Sequence, residues 1–82
     1  MTFTVHVRVV PRAGVLDPQG RAVEHALHAL GFGGASKVRI GRAIEMIVSA
    51  ANAGEAREQA KKMCDKLLAN PVTEDYELEI EA

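Results

Sequence analysis

From Phe3 to Val9 the chain alternates: Phe3, Val5, Val7 and Val9 fall on one side, Thr4, His6 and Arg8 on the other. A period of two is the signature of a strand that buries one face. Pro11 and Gly14 break the pattern. Asp17 followed by Pro18 then supplies a side-chain acceptor for helical N–H groups and a ring whose φ is already helical, so a helix is predicted from Pro18. Along it Val23, Ala26, Leu27 and Leu30 recur as an apolar stripe, and Gly31 provides the stop. Arg21, His25 and His28 project from the opposite side.

"GFGGAS" reads as a flexible connector, and "KVRIGRAIEMIVSA" as two alternating sets, Val38 with Ile40 and Ile44 with Met46 and Val48. Two strands joined by a tight turn at Gly41 and Arg42 are expected, with one strand bulged at Gly41 as the competing reading. Asn52 and Glu55 form a capping-box-like start for a second helix, whose stripe is expected to be Ala56, Ala60, Met63 and Leu67 and whose end is marked by Asn70 and Pro71. A last strand alternates Tyr76, Leu78 and Ile80 with Glu77, Glu79 and Glu81.

The order β-α-β-β-α-β, with right-handed crossovers, predicts an α+β fold of ferredoxin-like type: a four-stranded antiparallel sheet with both helices on one face. First and last strands would then be neighbours, setting His6 and Arg8 near Glu77 and Glu79. Val10 and Ile47 would share the uncovered face with these charges, a natural place for a second subunit.

Composition narrows this picture. The 82 residues make one domain, 1–82, whose folding would bury about 60–65% of the unfolded chain's surface, a thin margin that favours a homodimer or higher homo-oligomer. A net charge of -1 lacks the positive excess that nucleic-acid binding draws on. The single cysteine excludes an intrachain disulfide, the N-terminus does not read as a signal peptide, and no apolar run nears the roughly eighteen residues of a membrane span, so a cytoplasmic location is expected.

Candidate chemistry is sparse. His25 and His28 share a helix face, but no carboxylate or cysteine completes a metal site, and Arg21 adds positive charge one turn back. Cys64 sits at the margin of the second helix's stripe with no histidine base nearby in the predicted fold. Ser36 and Ser49 lie in no nucleophile-elbow context, and "GFGGAS" has no phosphate-loop spacing. These residues describe a domain that interacts rather than catalyses.

Three phrases, "GVLDPQGRAVEHALHALGF", "VRIGR" and "MCDKLLANPVTEDYELEIE", closely resemble the PurS family, small subunits of bacterial phosphoribosylformylglycinamidine synthase. The resemblance implies a role in the fourth step of de novo purine synthesis, as a non-catalytic subunit joining a PurQ-type glutaminase to a PurL-type synthetase and supporting ammonia transfer. It implies no cofactor on this subunit, while the complex uses ATP and Mg2+. Carried onto this chain, the family's phrases fall on Asp17, Pro18, Gln19 and Gly20, on His25 and His28, on Arg39 and Gly41, and on Asn70, Pro71, Asp75 and Tyr76. Capping, helix start, turn and termination account for Asp17, Pro18, Gly41, Asn70 and Pro71. Arg21, His25, His28 and Arg39 have no such structural need and are assigned to partner contact. The rival reading is a free-standing dimeric metabolite-binding or regulatory module, since fold alone does not fix function.

Overall fold

A computed structural model describes all 82 residues. Strand β1, Thr2–Pro11, lies between β2, Arg42–Ser49, and β3, Glu74–Glu81, in a three-stranded antiparallel sheet of order β2-β1-β3. The alternation in β1 puts Phe3, Val5, Val7 and Val9 into the core. Val5 is opposite Met46 and Ile80, and Val7 opposite Ile44 and Leu78, so the inner face is apolar across all three strands.

Helix α2, Ala53–Met63, covers that face. Its start is capped by Asn52, whose side chain accepts from the Glu55 N–H at 2.8 Å. Ala56, Ala60 and Cys64, four residues apart, are completely buried, and their small side chains let the helix lie close to the sheet. Past Met63 the chain widens into a π-helical turn, Cys64–Leu68, closed by the Ala69 N–H on the Cys64 carbonyl. The buried line therefore continues through Cys64 rather than Met63, and Leu67 is turned out to 82% exposure, correcting the expected stripe.

The expected four-stranded sheet is not formed. Residues 37–41 join no ladder, because the donors a strand would offer go to side chains: the Val38 N–H to Glu24 at 3.1 Å and the Ile40 N–H to Asp17 at 2.9 Å. Gly41 makes neither hairpin turn nor bulge in a paired strand. It is pressed against β1, where a β-carbon would collide with the Val9 carbonyl.

The second correction concerns the helices. Helix α1, Pro18–Ala29, does not share the inner face with α2; only Gly20 of its residues is buried. Three strands span two spacings of about 4.8 Å, or about 10 Å, the width of a single helix. α2 fills that width. α1 stands apart as an arm, with Val23 and Leu30 of its stripe in solvent and Leu27 only half-buried. The chain measures 50 × 25 × 14 Å with a radius of gyration of 16.0 Å, against about 12 Å for a compact chain of this length.

Candidate assembly interface

The arm is rigidly rooted. Asp17 Oδ1 accepts from the Gly20 N–H at 3.1 Å while its Oδ2 holds Ile40, so one carboxylate caps α1 and fastens the 37–41 segment to it. These backbone bonds, to Ile40 first and Gly20 second, hold the Asp17 carboxyl below its ordinary range. Gly20 packs against the Val38 carbonyl with no room for a β-carbon. Pro18 occupies the first turn, as expected, and Gln19 is exposed.

At the far end His28 Nε2 donates to the Ala35 carbonyl at 2.7 Å, tying the 31–36 connector back to the helix. His28 therefore has a structural partner that the sequence did not reveal. The His25 side chain is exposed and makes no hydrogen bond or ion pair; beyond the helix Phe32 is 60% exposed.

Arg21 and Arg39 do not join the histidines. They meet at the root of the arm, in a cleft of about 700 Å³ also lined by Arg12 and Lys37. Arg39 is held there by donating Nη1 to the Pro11 carbonyl at 3.0 Å. The four proposed contact residues thus divide between the arm and its root.

The open sheet face is a separate surface. Arg8 pairs with Glu77, as expected of neighbouring first and last strands, whereas His6, opposite Glu79 in register, contacts Glu81 at 3.2 Å and Glu45 at 3.8 Å instead. The hydrogen bond to Glu81, with the surrounding negative charges, raises the His6 pKa above 6.5. Ile47 lies exposed on this face, as expected.

Comparison with known proteins places these surfaces in a family. The family model for PurS, phosphoribosylformylglycinamidine (FGAM) synthase, matches residues 4–82. The chain is similar to the phosphoribosylformylglycinamidine synthase subunit PurS of Synechocystis sp., with 46% identity over the whole chain and 84% of the relative. It is similar also to that of Bacillus subtilis, with 43% identity over 96% of the chain and 93% of the relative. The chain belongs to the PurS family.

Among solved PurS structures, that of B. subtilis superposes with a TM-score of 0.83 at 42% identity, covering 98% of this chain and 99% of that one. A chain of the Thermotoga maritima PurLQS structure superposes with a TM-score of 0.88 at 36% identity, covering 98% of both. Coverage of this extent includes the arm as well as the sheet.

The remaining PurS phrases are architectural in this chain. Asn70 Oδ1 accepts from the Val72 N–H, closing a turn before β3, and the Asn70 N–H donates to Glu74. Arg12 reaches across to Asp75 at 3.1 Å and to the Pro71 carbonyl at 2.9 Å. Arg42 holds Glu74 through two nitrogens and also donates to the Leu68 carbonyl. Tyr76 donates its hydroxyl to Asp65 at 3.1 Å, its pKa raised by partial burial and then by that carboxylate. Arg12 was missed from the sequence, where it is an isolated cation beside a strand end, and Arg42, expected in a tight turn with Gly41, instead opens β2.

Cys64 is buried and desolvation pushes its thiol pKa up, the opposite of what a nucleophilic thiolate needs. No three His, Cys, Asp or Glu side chains gather where they could hold a metal ion, and no helix is long and apolar enough to cross a membrane.

Proposed function

We propose that this chain is the non-catalytic assembly subunit of a cytoplasmic phosphoribosylformylglycinamidine synthase, working as a homodimer or higher homo-oligomer that bridges a PurQ-type glutaminase and a PurL-type synthetase. The observation that carries this reading is the arm: a firmly capped helix whose apolar stripe is only partly covered by its own chain, with Leu30 73% exposed. A monomer has no use for such a surface, whereas a subunit interface needs one. The relative in the T. maritima PurLQS structure superposes over the arm and the sheet together, which supports assembly as the setting for this shape.

The chemistry divides accordingly. The glutaminase releases ammonia, and the synthetase uses it with ATP and Mg2+ on its own side. Ammonia released into bulk water would be protonated and diluted, so the transfer requires an enclosed path between subunits. This chain supplies contact geometry for that path.

The test is reconstitution. Purified glutaminase and synthetase subunits are assayed with and without this chain, using glutamine or ammonium as nitrogen donor. The chain is expected to restore the glutamine-driven reaction while leaving the ammonium-driven reaction nearly unchanged. Equal glutamine-driven rates in its absence would reject the assembly role.

A further inference from the structure

The geometry points to a binding site for a small phosphate-bearing molecule in the cleft at the root of the arm. Its wall carries Arg12, Arg21, Lys37 and Arg39, four of the ten Lys and Arg residues of a chain whose net charge is -1. Such a concentration has no counterpart in the structural hydrogen bonds. Arg12 is engaged by Asp75, but the side chains of Arg21 and Lys37 make no hydrogen bond or ion pair, and Arg39 uses one guanidinium nitrogen on a backbone carbonyl while its other donors remain available.

The two carboxylates on the same wall do not neutralise these cations by pairing. Asp17 accepts from the N–H groups of Gly20 and Ile40, and Glu24 accepts from that of Val38. Both are turned to backbone donors, and three cations are left without an acidic partner.

Two backbone features sharpen the site. Lys37 has φ of 54°, a left-handed conformation uncommon for a side-chain-bearing residue, held by the Glu24 bond to its successor. Across the cleft, the turn closed by the Val15 N–H on the Arg12 carbonyl leaves the N–H groups of Ala13 and Gly14 without a partner. Successive free amides beside cations make an anion-binding concavity.

A phosphate group, with three acceptor oxygens and nearly two negative charges, matches three unpaired cations and two amides. At about 700 Å³ the cleft exceeds what inorganic phosphate fills and suits a nucleotide-sized ester, whose organic part would rest on Val15 and Leu16.

The test titrates the full-length 15N-labelled chain with AMP and with inorganic phosphate, against sodium chloride at matched ionic strength, following amide shifts. Saturable shifts at Ala13, Gly14, Lys37 and Arg39 are expected with AMP, weakened at least about tenfold in Arg21→Ala and in Lys37→Ala. Both side chains are exposed and unbonded, so an otherwise unchanged spectrum checks that the variants fold. Tighter binding of AMP than of phosphate assigns the site to a phosphate ester; equal binding assigns it to the phosphate group alone. Shifts that match chloride, or that survive both substitutions, would overturn the site.

Discussion

Helices α1 and α2 are both capped by an Asx side chain and both carry an apolar stripe, yet one forms the core and the other lies in solvent. α2 and the π-helical turn that follows it present Ala56, Ala60 and Cys64, side chains small enough for close packing on a sheet only one helix wide. α1 presents Val23, Leu27 and Leu30, larger groups that call for a deeper groove than this chain offers. Amphipathic spacing shows that a face is to be buried; the size of its residues and the width of the sheet decide whether the burial is within the chain or between chains.

The largest contrast should come from truncating one apolar side chain in each region. Val7→Ala removes buried methyls from the centre of β1 and is expected to lower stability by about 2–3 kcal/mol in denaturant unfolding. Leu30→Ala, on a residue 73% exposed, should change the stability of the dilute chain by less than about 0.5 kcal/mol while weakening association with the partner subunits, read by sedimentation. Equal destabilisation by both would erase the distinction.

A smaller effect tests what closes the body of the fold. Arg42→Ala removes the bonds to Glu74 and to the Leu68 carbonyl, joining β2 to the turn before β3. A loss of about 1 kcal/mol is expected, modest because half of the Arg42 side chain meets water. The arm should be indifferent, so association measured at saturating denaturant-free stability should not change.

The smallest is the pH response of the open sheet face. His6 has a folded pKa raised above 6.5, chiefly by the hydrogen bond to Glu81, so its contribution is fully present below 6.5 and is lost as pH rises through the folded value. Thermal unfolding should show a slight decline in stability across that window, absent in His6→Asn. A decline of the same size in the variant would assign it to other groups.

The sequence made β1, β3 and both helix starts legible, because alternation and capping are local properties. The charge pairing of His6 and Arg8 with the acidic strand followed from placing β1 beside β3. The absence of a fourth strand was illegible because Val38 and Ile40 have strand spacing, while the carboxylates that take their N–H groups lie 14 and 23 residues earlier. Gly41 was read as a turn for the same reason: its close approach to the Val9 carbonyl is a tertiary fact. At the candidate sites, Arg21 and Arg39 were recognised one by one, but their meeting with Arg12 and Lys37 needed the rooted arm, and His28 found a partner in the connector.

Amide hydrogen exchange across α1 tests most directly whether the arm belongs to an assembly. Protection of residues 22–30 is measured in this chain over a dilution series, then with the glutaminase and synthetase subunits added. α1 should exchange rapidly in the dilute chain while β1 stays protected, and should gain at least about tenfold protection when partners bind. Protection of α1 equal to that of β1 at every dilution, unchanged by the partners, would contradict the account.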